Sequence, residues 1–176
     1  ETFTFDKAHT LIGFRIRHLV TKVEGRFKGF TGTIWLDRAN PADSRVDLTI
    51  QTASIDTGVE DRDKDLRSPN FFDVEKYPTI AFKSTKVEAK GNDSYEVTGD
   101  LTMHGVTKTI RVPVKHTGFA KMGDVDKAGF EIAFPLSRKE YGIERGAPLV
   151  GDEVEINIQV ESNRQTSEES KAPAKS

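Results

Sequence analysis

Four histidines, His9, His18, His104 and His116, are the side chains here best suited to acid–base or metal chemistry. No two stand at the i, i+4 spacing that puts a pair of zinc ligands on one helix face, and there is no cysteine to complete a mixed site. His9 and His18 flank one strand pattern and could be neighbours, but a metal between them needs carboxylates that spacing does not supply. His104 falls in a turn and reads as a hydrogen-bonding residue. Asp61, Asp63 and Asp65 alternate as in a calcium loop, yet the central glycine and the terminal glutamate are missing. A solvated helix face is the better reading of that run. Gly25, Gly29 and Gly32 interrupt a strand pattern and open no helix, so they make no phosphate cradle. There is no Gly-x-Ser-x-Gly elbow and no thiol nucleophile. Asn92-Asp93-Ser94 matches a glycosylation acceptor, which matters only on a eukaryotic secretory route. Catalysis has no positive signal in this sequence.

His18 is the histidine whose setting is most informative. In Leu11–Leu19, Ile12, Phe14, Ile16 and His18 share one parity, while Gly13, Arg15 and Arg17 take the other. Successive strand side chains point to opposite faces, so this is a half-buried strand with its arginines outside. His18 then either satisfies its ring nitrogens inside a core or meets the polar end of a ligand in an apolar cavity.

The elements around it repeat the same texture. Thr2–Asp6 alternates. Val23–Asp37 reads as a long strand whose parity slips between Phe27 and Phe30, across Gly29, where a bulge or bend is expected. Val46–Gln51, Ile80–Thr85, Tyr95–Met103, Thr109–Lys115, Phe130–Leu136 and Val154–Val160 are further strands, with turns at Gly91-Asn92-Asp93 and at Met103–Thr107. Residues 118–129 read as a loop. One charged stretch lacks period two and reads as a short helix near residues 58–67, with Thr57 and Glu60 at capping-box spacing. Phe71-Phe72 follows, and packs the helix on a sheet or over an opening. Residues 163–176 are Ser-, Glu- and Lys-rich and are expected to be a disordered tail after a domain spanning 1–162.

A net charge of −2 gives no pull toward nucleic acid or an anionic membrane, and no apolar run approaches the roughly 20 residues of a spanning helix. Short links and period-two alternation require antiparallel strands, as a sandwich or a closed barrel. The fold class is therefore all-β, with an eight-stranded up-and-down barrel as the closed form. Large aromatics share the inward set with His18, Ser84, Gly99 and Met103. That mixture favours a hollow interior over a solid one.

The segments His9–Phe14 with Arg17-His18, Gly25-Arg26-Phe27, Ala53–Gly58, Arg62-Asp63, Leu66-Arg67-Ser68, Asn70–Val74, Tyr77-Pro78, Phe82–Thr85, Gly99–Lys108 and Ser137–Gly142 resemble the YceI-like family in order, over about residues 1–162. Thr10 stands where serine is common there, and Tyr141 where phenylalanine is common. The resemblance implies an extended lipocalin-like barrel around a long apolar tunnel for a polyisoprenoid or quinone-like lipid. It implies no required cofactor and no catalytic residues. It also implies a periplasmic or secreted protein, which a chain beginning at Glu1 with its signal peptide removed would match. The side chains expected to line the tunnel are Phe14, Ile16, Phe27, Trp35, Phe82, Leu101, Met103, Phe130 and Phe134, with His18 as the polar contact and Phe71 and Phe72 near the mouth. The expected partner is a small lipid, without nucleic acid or stable membrane insertion, and a homodimer is left open. Two rivals stand beside the carrier: an enzyme acting on such a lipid through His18, and a solid-cored stress or interaction protein.

Overall fold

Strand alternation governs nearly all of the fold. The computed structural model describes residues 1–166, which hold eleven strands and one α-helix. In chain order these are β1 (Thr2–Phe5), β2 (Leu11–His18), β3 (Thr21–Phe27), β4 (Phe30–Trp35), β5 (Arg45–Gln51), β6 (Ile55–Asp56), α1 (Glu60–Arg67), β7 (Thr79–Gly91), β8 (Ser94–Met103), β9 (Val106–Met122), β10 (Val125–Ser137) and β11 (Val150–Arg164). The strand order is β1-β4-β5-β7-β8-β9-β10-β11-β2-β3-β6, with β1 also paired to β11. Every pairing is antiparallel. β1 with β2, β3 with β4, and β5 with β6 are three interrupted staves. The ring is therefore an eight-stave meander, closed where β11 meets both β1 and β2. Closure pairs both edges of nearly every stave, and the short β6 is left with β3 alone as its partner.

The three interruptions lie side by side. Asp6–Thr10, Lys28-Gly29 and Thr52–Ser54 break neighbouring staves at one height and bend the wall there. The parity slip at Gly29 is this bend, and it turns both Phe27 and Phe30 inward, 7% and 3% exposed. The tight turns His104-Gly105 and Asn92-Asp93 have positive φ at both central residues, the geometry that suits the twist of a two-residue hairpin.

Three details depart from the sequence expectations. Residues 118–129 are not a loop: β9 and β10 stay paired out to Met122↔Val125, as a ribbon past the partners on either side. The glycines that suggested a loop sit within the ribbon and in its turn. The Thr57–Glu60 capping box does not form. Val59 is the N-cap, and the buried Asp63 instead accepts hydrogen bonds from the Thr57 amide (3.0 Å) and hydroxyl, while Arg62 donates to the Thr57 carbonyl (2.6 Å). Asp63 does what Glu60 was expected to do, because only it points back under the turn. Finally, β11 runs to Arg164, paired with Phe3, and the Gln165 amide donates to Thr2. Residues 163–166 thus belong to the ordered wall, and the rest of the expected tail lies outside the described residues.

Buried apolar side chains form three clusters rather than one mass. The largest gathers Ile12, Phe27, Phe30, Ile55, Met103 and Tyr141 near α1. A second holds Phe3, Ile34 and Ala128. A third holds Val87, Val97 and Val112 on one wall. Half-buried side chains bridge them: Phe5 packs against the first and second, and Phe82 and Ile110 against the first and third.

Candidate functional site

Between these clusters lies a hollow of about 680 Å³, walled almost entirely by apolar side chains. Its volume is that of a small-molecule site, commonly about 300–1,000 Å³. Its signature appears residue by residue. Phe14, Leu48, Phe82, Ile110, Phe134 and Ile158 point inward yet are only half-buried, because open space lies against them. In a solid core at normal packing density they would be fully buried.

Flat glycine positions in the wall set how closely the rings can approach it. A Cβ on Gly99 would stand 2.5 Å from both the Phe82 ring and the Lys83 carbonyl oxygen, and one on Gly25 would stand 2.4 Å from the Phe14 ring. The two phenylalanines therefore lie down on the wall instead of crossing the lumen. That keeps the hollow open.

The two ends differ. At one, α1 and the segment after it lie across the barrel. Leu66, Phe71 and Phe72 reach into the wall of the hollow, and the Phe72 ring meets Phe27 edge-on at 5.7 Å. The connection from β10 to β11 joins them there, held by Arg138. This buried guanidinium donates to the carbonyls of Gly151 (2.7 Å), Ile143 (3.0 Å), Arg145 (2.8 Å) and Val150 (3.2 Å). Burial lowers its pKa, partly offset by Asp152 and Glu144. Asp152 fixes the same connection, accepting from the Ser137 hydroxyl and the Lys139 amide, and these bonds hold its carboxyl below the usual range. The His104 ring pairs with the Tyr141 carbonyl oxygen at 3.0 Å, so His104 is a hydrogen-bonding turn residue. The other end, near the turn from β7 to β8 and the link from β4 to β5, is wetter. Asp37, Arg38, Arg45, Asp93 and Thr117 border the hollow there, and Phe119 is half-exposed.

Of the side chains expected to line the tunnel, the structure places Phe14, Ile16, Phe27, Phe82, Leu101, Met103, Phe130 and Phe134 in the wall, with Phe71 and Phe72 at the helix-covered end. Trp35 and His18 are corrected. Trp35 alternates with the buried Ile34 and therefore faces outward, its indole covered by the Arg45 guanidinium 4.0 Å from the ring. Its size suggested the interior, but its parity decides the matter. His18 keeps the parity of Phe14 and Ile16 along β2, but it stands at the end of the strand, opposite Val150 across a bulge in β11. It pairs with Thr21 at the hairpin tip, beyond a register shift in β11, and is exposed. Among the lining residues to which the sequence reading gave no such place are His116, which continues the inward parity of Ile110, Val112 and Val114, and Arg138. The parity could have revealed the first. No periodic signal marks the second.

Among the described residues one group of side chains has metal-ligand geometry, Asp6, His9 and Glu161. A cation already sits there. The Lys127 ammonium donates to Glu161 (2.7 Å), Asn163 (2.7 Å) and Asp6 (3.4 Å), while the His9 ring meets Asp6 at 2.9 Å. The cluster is a clasp between the bend after β1 and strands β10 and β11.

The family described as "YceI-like domain" matches residues 3–162. A UPF0312 protein of Pseudomonas aeruginosa is 42% identical over 162 residues, covering 89% of this chain and 83% of the relative. Protein YceI of Escherichia coli is 40% identical over 162 residues, with the same coverage of 89% and 83%. Among solved structures, Burkholderia cenocepacia BcnA superposes with a TM-score of 0.81 at 28% identity, covering 89% of this chain and 98% of its own. A polyisoprenoid binding domain from Saccharophagus degradans shares the fold at a TM-score of 0.71 and 14% identity, covering 93% of this chain and 98% of its own. With the family's pattern running through almost the whole barrel, this chain belongs to the YceI-like family.

Proposed function

We propose that this protein is a binding protein rather than an enzyme, and that it holds and carries a long-chain isoprenoid or similar amphiphilic lipid inside the barrel. The observation that carries this reading is the apolar hollow of about 680 Å³. Each buried methylene contributes roughly 0.8 kcal/mol. A prenyl chain thus has ample driving force, offset in part by the ordering of a flexible ligand. The shared barrel of the polyisoprenoid binding domain supports the same cargo class. Against the enzymatic rival, His18 stands exposed at a hairpin tip, away from the wall of the hollow. Against the solid-cored rival stands the hollow itself. Transport through the periplasm or outside the cell fits a water-borne carrier of this kind. No helix among the described residues is long and apolar enough to cross a membrane.

The test is native mass spectrometry of the purified protein, followed by organic extraction and reloading with a long-chain prenol. Co-purified apolar mass, or stoichiometric reloading, is the expected result. A stripped protein that takes up no prenol or alkyl probe ends the proposal.

A further inference from the structure

Exposed large apolar side chains gather at two places among the described residues. Phe119, Met122 and Val125 ride on the β9–β10 ribbon, where the Arg38 guanidinium covers Phe119 at 3.7 Å. Leu19, Val20 and Leu149 lie at the other end, on the β2–β3 hairpin and the connection that helps α1 close the hollow, and Val20 is 95% exposed. The Leu19 amide donates to the Leu149 carbonyl at 2.9 Å, so the three form one patch. Leu19-Val20 is also the turn between β2 and β3. Tight turns favour glycine, asparagine and aspartate, as at Asn92-Asp93 and Gly123-Asp124. Here Leu19 holds φ at +52° and Val20 is β-branched. A local rule broken with no gain inside the fold points to a contact outside it.

We propose that this patch docks the protein on a lipid bilayer, with Leu19, Val20 and Leu149 entering the zone between headgroups and acyl chains. The choice of occupant rests on the carrier reading above, since a bilayer is where a lipid cargo is collected and released. Shape agrees with it. Side chains this exposed lie in no groove and offer a folded partner little to enclose, whereas a fluid interface closes around a convex tip. Position agrees too, because the patch adjoins the end where Leu66, Phe71 and Phe72 cover the hollow.

Charge sets the kind of surface. Arg17 on the hairpin and Arg145 on the connection are exposed, and neither is in an ion pair among the described residues. Glu155, whose carboxyl feels Arg17, is already taken by Lys22 (2.7 Å) and Arg15 (3.3 Å). The two unpaired guanidiniums can meet lipid phosphates from the shoulder of the patch. Glu144 stands beside Arg145, however, and α1 carries Glu60, Asp61 and Asp65, so positive charge does not dominate this end. Apolar insertion therefore carries the contact, and a phosphatidylcholine bilayer suffices. A patch of three side chains gives a reversible hold, which a carrier that must leave again requires.

The experiment uses the stripped full chain and phosphatidylcholine vesicles. The sequence has no cysteine, so Val20→Cys and Met122→Cys each give a single site for a polarity-sensitive fluorophore. The label at position 20 is expected to shift to the blue with vesicles, and the label at position 122, on the ribbon, to stay unmoved. In sedimentation, Val20→Asp is expected to lower vesicle partitioning about tenfold, the scale of one buried aliphatic side chain, and Met122→Asp to leave it unchanged. Added salt should weaken partitioning only slightly. Val20→Asp should still take up a long-chain prenol dispersed without vesicles, while collecting it more slowly from vesicles. Docking is overturned by an unshifted label at position 20, by undiminished partitioning of Val20→Asp, or by binding that needs anionic lipid. It is also overturned by a blue shift at position 20 that grows with protein concentration without vesicles, which would mean that a second copy covers the patch. Each of these outcomes leaves the carrier intact. A wild type that shifts its label on vesicles but takes up no prenol by either route overturns the carrier reading and leaves docking standing.

Discussion

The hollow is set by individual side chains. Gly99 is the clearest case, because a Cβ there meets an immovable backbone oxygen as well as the Phe82 ring. Gly99→Val should destabilise the protein by about 1–3 kcal/mol, the usual cost of overpacking, read as a lower urea midpoint at unchanged slope. Phe82 itself lines the hollow, so Phe82→Arg places a charge in an apolar, water-poor space. Lipid retention should be lost in that variant. It should persist in Arg15→Glu, whose side chain is half-exposed on the outer face against Glu24 and Glu155. Equal retention in both variants, measured by extraction and mass spectrometry, would show the inward assignment to be wrong.

Among the elements, α1 and the connection from β10 to β11 close one end, and each depends on one buried polar group. Asp63 is 4% exposed and holds both polar groups of Thr57 that face it. Asp63→Ala leaves these part-buried donors without their acceptor and should cost about 1 kcal/mol. Hydrogen exchange should speed up first in residues 57–72, ahead of the barrel strands; uniform acceleration across the barrel would instead mean that the helix is not a separate lid. Arg138 plays the same part on the other side of that end, tying the carbonyls of Ile143 and Arg145 in the connection to those of Val150 and Gly151 at the start of β11.

For the molecule as a whole, the Lys127 clasp links stability to pH. The His9 hydrogen bond, with help from the Ala8 amide and Lys127, holds the Asp6 carboxyl below its usual range. A depressed carboxyl contributes stability that is present above the unfolded pKa, about 3.9, and is lost as pH falls through the lower folded value. Glu161 raises the Lys127 ammonium above its ordinary value against desolvation. That contribution is present below about pH 10.4 and is lost as pH rises through the higher folded value. The clasp is thus complete from about pH 5 to about pH 10. Thermal melts should show Lys127→Met losing stability inside that window and losing less at its alkaline edge. A uniform offset at every pH would show that the clasp does not titrate. Cargo acts on the same scale. A ligand present at 100 times its dissociation constant adds about 2.7 kcal/mol, so stripping should lower the melting temperature and reloading should restore it.

The sequence by itself determined the strands, their antiparallel order, the bend at Gly29, the two tight turns and the position of α1. Each of these depends on neighbours a few residues apart, and alternation, glycine and polar turn pairs report such local preferences directly. It also determined most of the lining, since parity assigns a face once one residue of a strand is placed. Trp35 was legible on those terms too, as the neighbour of inward Ile34. What only the tertiary structure decided depends on staves far apart in the chain. His18 is exposed because it stands at the β2–β3 hairpin tip, opposite Val150 across a bulge in β11, and the 118–129 ribbon exists because β9 and β10 outlast their other partners. The partners of Arg138 follow from how distant segments meet. Whether the middle is hollow or filled belongs to the same class. It is set by the stagger of the closed ring and by rings lying flat on Gly25 and Gly99, and no single strand's pattern carries that volume.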